Sequence, residues 1–110
     1  MNRDNASIID IIKACQTIMT FTSNIKKEEF LNSNLIQSAV MHQLLIIGEA
    51  VKRLSETFKQ NAGEIPWKLI AGMRDKLVHG YDIIDINEIW NTVTVDIPHL
   101  IQKLTPYKPE

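Results

Sequence analysis

LIQSAVMHQLLIIGEAVKRLSETF, residues 35–58, decides the fold. Leu35, Ile36, Ala39, Val40, Leu44, Ile47, Val51, Leu54 and Phe58 recur at the three- and four-residue spacing that lines one side of an α-helix. Ser33 or Asn34 just ahead can cap the first turn, so the pattern predicts one long helix from there to about Phe58. Leu45 and Ile46 fall on another side, and LLII at 44–47 is apolar nearly all the way round. A helix with a single buried face does not need that, so this second strip predicts burial against another subunit.

Reading outward, Ile8, Ile11, Ile12, Cys15, Ile18 and Met19 form one stripe of a first helix, predicted from Asp4 or Asn5, either able to cap it, to about Phe21. The polar stretch TSNIKKEEFLNSN, residues 22–34, supports at most a short helical turn over Lys27 to Leu31. Beyond the long helix, QNAGEIPW at 60–67 reads as a loop. Pro66 then suits the first turn of a helix carrying Ile70, Met73, Leu77 and Val78. That helix is predicted to end at Gly80, which can take the left-handed conformation.

A last helix from about Asp85 to Leu104 carries Ile86, Ile89, Trp90, Val93, Ile97, Leu100, Ile101 and Leu104. Pro98 removes one backbone hydrogen bond and predicts a kink rather than two helices. TPYKPE, residues 105–110, is expected to fray. The pattern gives an all-α class: an up-and-down bundle of four main helices plus one short extra helix, forming a single domain over 1–110.

With 12 basic and 13 acidic side chains the formal charge is −1. No global positive field therefore draws in nucleic acid, and any RNA site has to be a local patch or be assembled between subunits. Cys15 has no partner for an internal disulfide, and no run approaches the length of a membrane span. The amino terminus also lacks the apolar run of a secretory signal, so a soluble, cytoplasmic protein with no membrane partner is expected.

The densest chemistry lies in RDKLVHGY, residues 74–81. Histidine moves protons near neutral pH, and a fixed guanidinium grips phosphate and offsets charge that grows on it. Together they suit RNA cleavage, in which a 2′-OH attacks the adjacent phosphate. In an undistorted helix Arg74 and His79 point about 140° apart, so the reading needs His79 in a frayed last turn or reaching a partner subunit. The competing reading pairs Arg74 with a surface carboxylate and leaves His79 favouring the negative helix end.

Glu49 and Arg53, four apart, can form an ordinary surface pair. Lys52, Arg53 and Lys76 can extend a phosphate patch, although exposed lysines are commonly only solubilising. His42 and His99 are isolated and no histidine pair has H-x-x-x-H spacing, so no metal is expected. Trp67 and Trp90 are expected at the bundle edges, with base stacking a weaker alternative.

GEA at 48–50, Trp67, LIAGMRDKLVHGYDIID at 69–85 and Trp90 resemble the HepT-like branch of the HEPN superfamily in order and spacing. RDKLVHGY matches that branch's signature of arginine, four residues, histidine, any residue, tyrosine. The resemblance implies a HEPN-like helical bundle that forms a homodimer and acts as a metal-independent ribonuclease toxin of a type VII-like toxin–antitoxin system. Its RNA target would be tRNA or mRNA.

Carried across by position, Arg74 and His79 are catalytic. Tyr81, by the same carry-over, is the residue modified by AMPylation, while the residues themselves make Glu49 and Asp75 the expected supporting groups and Lys76 and Arg53 the expected RNA contacts. The implied partner is an MntA-like minimal nucleotidyltransferase antitoxin, which uses ATP and magnesium, while the domain itself needs no cofactor. An adenylyl group on Tyr81 would set a bulky anion two residues from His79, opposing RNA by sterics and charge.

Asp75 departs from the asparagine common after the arginine. Its carboxylate either repels substrate unless paired, or orients His79 and raises its pKa. A rival class is a non-catalytic helical adaptor that binds a nucleotidyltransferase, a nucleotide or RNA. A third is a purely structural dimerisation module.

Overall fold

A computed structural model describes residues 3–80 and 84–109. Among them the chain is helical with no strand: α1 Arg3–Thr22, α2 Lys27–Leu31, α3 Asn34–Arg53, α4 Glu56–Asn61, α5 Trp67–His79, α6 Ile86–Asn91 and α7 Ile97–Leu104. A π-helical stretch, Thr92–Asp96, joins α6 to α7, and a 3-10 turn follows at Thr105–Tyr107. No helix of the described residues is long and apolar enough to cross a membrane.

The four main helices are α1, α3, α5 and the continuous α6–π–α7 unit. α3 is the centre of the bundle, packed on α1 along one side and on α5 along another, while α7 closes over α1. Ile8, Ile11, Ile12, Cys15 and Ile18 of α1 meet Val40, Leu44, Ile47 and Val51 of α3 in one buried cluster. Each such side chain contributes ~1.5–3 kcal/mol on leaving water. Burial pushes the Cys15 thiol up to about 12, so it packs as a small hydrophobe.

Two residues assigned to this core lie outside it. Leu35 is 81% exposed, because at about 100° per residue it points roughly 150° away from the mean direction of Val40, Leu44, Ile47 and Val51. Met19, in the last turn of α1, is 42% exposed, and the stripe closes at Ile18. Leu45 and Ile46 are half-buried against the core cluster, so part of the greasiness of LLII is satisfied within one chain.

Asn24, with φ 61°, turns the chain out of α1 in the left-handed conformation that asparagine tolerates. α2 forms where expected and buries Phe30, whose ring lies 5.1 Å from that of Trp90. Buried Gln37 donates to the Phe30 and Leu31 carbonyls at the end of α2. Ser33 caps α3 by accepting from Ile36 N–H.

The long helix stops five residues short of Phe58. Leu54 is extended (φ −67°, ψ 142°), and Ser55 starts α4 by accepting from Phe58 N–H at 3.1 Å. Asp4 secures the break from across the bundle. Its carboxylate accepts from Ser55 N–H at 2.8 Å and from Ser55 Oγ–H at 2.7 Å. Asp4 therefore sits inside α1 and ties down α4, instead of capping its own helix.

At the other end, Gly80 closes α5 at φ −129° rather than in the left-handed region, its N–H bonding Lys76 O at 2.8 Å. The last helix keeps its register through Pro98: the backbone widens to the π pattern over the turn in front of the ring, the place where proline crowds an α-helix. Residues 105–107 are ordered as a 3-10 turn instead of frayed. Tyr107 packs edge-on to Phe58 at 5.3 Å and donates to Glu64 Oε1 at 3.1 Å.

Ser55→Ala should cost about 1 kcal/mol in denaturant unfolding. The hydrogen bonds from Ser55 hold the Asp4 carboxyl below its ordinary 3.8. A depressed carboxylate stabilises above the unfolded value and loses that contribution as pH falls through the folded one. Asp4→Asn is therefore expected to lower Tm at pH 7, with the gap to wild type closing below pH 3.8.

Candidate functional site

The site begins with a glycine. Gly48 lies in the middle of α3, where a helix is weakened by about 1 kcal/mol relative to alanine. A Cβ added there would stand 2.2 Å from Arg74 Cβ and 2.5 Å from Arg74 Cγ on α5. Only a residue without a side chain lets the two helices meet at this point, and the meeting places Arg74 against the next residue of α3, Glu49.

Arg74 Nε–H donates to Glu49 Oε1 at 2.8 Å, and its Nη2–H donates to the same oxygen. Nη1–H donates to Asp75 Oδ1 at 3.2 Å. That aspartate oxygen also accepts from Lys52 Nζ at 2.7 Å. Gly48, Glu49 and Lys52 lie within about 100° of arc on α3, so one strip of that helix serves the whole arrangement. The four charges alternate: Glu49 negative, Arg74 positive, Asp75 negative, Lys52 positive.

The hydrogen bonds to Glu49 chiefly, and those to Asp75, raise the Arg74 guanidinium further above its ordinary value, so it stays charged. Lys52 first and Arg74 second hold Asp75 below the usual aspartate value. A guanidinium has five N–H donors, and three are engaged here, which leaves two for an incoming anion. Arg74 is 20% exposed: open enough to be reached, and held firmly enough to be oriented.

His79 is the last residue of α5, and its side chain is exposed. α5 stays helical through it, so the frayed turn that would swing the ring toward Arg74 is not present. The two side chains remain about 140° apart around one helix. Asp75 does not orient His79, since its bonds go to Lys52 and Arg74.

The other expected contributors are scattered. Arg53 pairs with Asp10 of α1 at 3.3 Å rather than with Glu49. Lys76 lines a cleft with Lys68, Gly72, Asp85 and Glu88, about 160° around α5 from Arg74. Tyr81, the expected modification site, lies outside the described residues. Trp67 is buried in the core instead of at an edge, donating from Nε1–H to Ala62 O at 3.1 Å. Among the described residues no group of three histidine, cysteine, aspartate or glutamate side chains converges as a metal-ligand set.

Sequence reasoning missed Gly48 as a contact point and Lys52 as the partner of Asp75. The glycine carried a signal: it interrupts the most apolar stretch of the chain, where nothing but close approach rewards it. Lys52 carried a weaker one, lying four residues after Gly48 and three after Glu49 on the same strip.

The sequence as a whole is similar to known proteins. A family profile described as "Ribonuclease HepT-like" matches residues 11–106. A Thermococcus cleftensis protein named "Probable ribonuclease HepT" is 46% identical over 91 residues, covering 83% of each chain. A Methanocaldococcus jannaschii protein named as a candidate RNase is 40% identical over 95 residues, covering 86% of this chain and 78% of its own. A third relative, also named as a candidate RNase, comes from Caldanaerobacter subterraneus subsp. tengcongensis, with 39% identity over 90 residues, 82% of this chain and 80% of its own. No solved structure matches.

Two glycines test the contact. Gly48→Ala should destabilise the fold despite the better helix propensity of alanine, because its methyl collides with Arg74. A Cβ at Gly72 meets nothing within 4 Å, so Gly72→Ala should stabilise by about 0.5–1 kcal/mol. Denaturant titration of the two variants reads these opposite signs.

Proposed function

The chain belongs to the HepT-like ribonuclease family of the HEPN superfamily, and on that premise we propose that it is the toxin ribonuclease of a type VII-like toxin–antitoxin system. It cuts RNA without metal, at a site shared by two copies. The observation that carries the reading is the guanidinium of Arg74, oriented by Glu49 and left with two donors for a phosphodiester.

In this reading His79 takes the proton of the 2′-OH as that oxygen attacks phosphorus. A second His79, from the partner copy, gives a proton to the departing 5′-oxygen. The bond from phosphorus to the 5′-oxygen breaks, leaving a 2′,3′-cyclic phosphate and a 5′-OH. Arg74 offsets the charge that grows on the non-bridging oxygens.

The divergence of Arg74 and His79 around α5 supports the shared site, because a second chain can supply the group that the first aims elsewhere. Half-buried Leu45 and Ile46 on α3 and partly exposed Val78 on α5 lie near Glu49 and Arg74 as an apolar rim for that second copy. Control belongs to an MntA-like nucleotidyltransferase that, with magnesium, transfers AMP from ATP to the Tyr81 hydroxyl and releases pyrophosphate. The adenylyl group then adds a bulky anion two residues from His79 in the chain, which opposes RNA by sterics and charge.

The purified, unmodified protein should cut RNA in the presence of EDTA and leave 2′,3′-cyclic ends. His79→Ala should cut at least about 100-fold more slowly while its circular dichroism is unchanged. Undiminished cutting by a folded His79→Ala protein would remove the assignment, and RNA binding with no cutting by wild type would favour a recognition module. Co-expression with a neighbouring nucleotidyltransferase should add AMP mass that maps to Tyr81.

A further inference from the structure

Asp75 poses a problem for any site that grips phosphate through Arg74. It is the next residue in the chain, and its carboxylate oxygen is 3.2 Å from Arg74 Nη1. An ionised carboxylate there stands a few ångströms from the position where the remaining Arg74 donors would hold an anion. Its proton affinity is lowered, so it stays ionised near neutral pH. The charge of Arg74 is already matched by Glu49, so a second cation is required if the site is not to meet RNA with a net negative charge.

Lys52 is that cation by position. Its ammonium lies 2.7 Å from Asp75 Oδ1, reaching across from α3. Lys76 and His79, the basic neighbours on α5, make no ion pair with Asp75. With Lys52 in place, Glu49, Arg74, Asp75 and Lys52 sum to zero. Without it they sum to −1 in front of a polyanion.

We propose that Lys52 is a positioning residue of the RNA site: it acts through Asp75, neutralising and anchoring that carboxylate so that the free donors of Arg74 can take an RNA phosphate. The proposal rests on the reading of Arg74 as the phosphate-gripping group. It makes Lys52 part of the site although it lies outside the RDKLVHGY motif and 23 residues from Asp75 in sequence. As a plain ion pair between half-exposed groups, Lys52–Asp75 would contribute little to folding. Its effect is on RNA affinity.

The test is a double-substitution series read two ways: KM and kcat for cleavage, and Kd for a non-cleavable 2′-O-methyl RNA by fluorescence anisotropy. Lys52→Ala should raise KM and Kd about three- to tenfold at low salt, with kcat within about twofold of wild type. Lys52→Arg should retain wild-type affinity, since it keeps the charge. Asp75→Asn alone should tighten binding, and adding it to Lys52→Ala should return KM and Kd to within about twofold of wild type.

If the double variant stays as weak as Lys52→Ala, Lys52 grips RNA directly and the proposal is overturned. If Lys52→Ala binds as wild type does, the pair is ordinary surface chemistry and the proposal is equally overturned. Wild type that binds RNA but does not cut it removes the cleavage reading while the Kd series still decides the role of Lys52. Wild type that does not bind RNA removes both. Unchanged melting of the exposed Lys52 variants excludes loss of fold as the cause.

Discussion

Two helices touch where one of them has no side chain, and the site follows from that contact. Gly48 removes the atom that would keep α5 away from α3, so the stem of Arg74 lies against the α3 backbone and its guanidinium falls on Glu49. A long, flexible side chain carries about 2 kcal/mol of rotamer entropy when free. Here the confinement is made in the folded protein before any ligand arrives, by packing along the stem and by ionic hydrogen bonds at the tip. Such preorganisation is what an electrostatic site needs, since donors that already point at the place of growing charge have no reorganisation left to do.

The same contact explains why charges gather on this strip of α3. A cation held at a helix crossing must be matched, and Glu49 matches it. The motif then sets an acid beside the arginine, and α3 answers with Lys52 one turn further on. The result is a neutral row of alternating charges between the two helices, in a chain whose overall charge of −1 offers RNA no general attraction. In the proposed reading, affinity for a polyanion comes from a few local donors and from a second copy, in keeping with the separation of Arg74 and His79 around α5.

Much of the bundle was legible in the sequence because burial imposes a period that composition alone cannot imitate. α1, α2, α5 and the last helix lie close to where their apolar spacing puts them. The failures have specific causes. Leu54 and Phe58 continue the apolar period of α3, so the pattern hides the break at Ser55, which is made by a hydrogen bond from residue 4. Leu35 was misplaced because a three-four spacing admits residues well off the true centre of a stripe. In the site, Arg74 and Glu49 stood out as residue types, but their pairing spans 25 positions, and side-chain pairing at such range has no local signature. The pairing of Lys52 with Asp75 was hidden for the same reason, whereas Gly48 carries a local signal as a glycine inside the most apolar stretch of the chain.

The confinement of Arg74 by Glu49 and Gly48 can be observed directly through the Nε–H resonance of the arginine side chain in solution. The account predicts a resolved, slowly exchanging Arg74 Nε–H signal at neutral pH that broadens or vanishes in Glu49→Gln, with the backbone spectrum of the bundle otherwise preserved. An Arg74 Nε–H that exchanges in wild type as fast as that of the exposed Arg3 would contradict it.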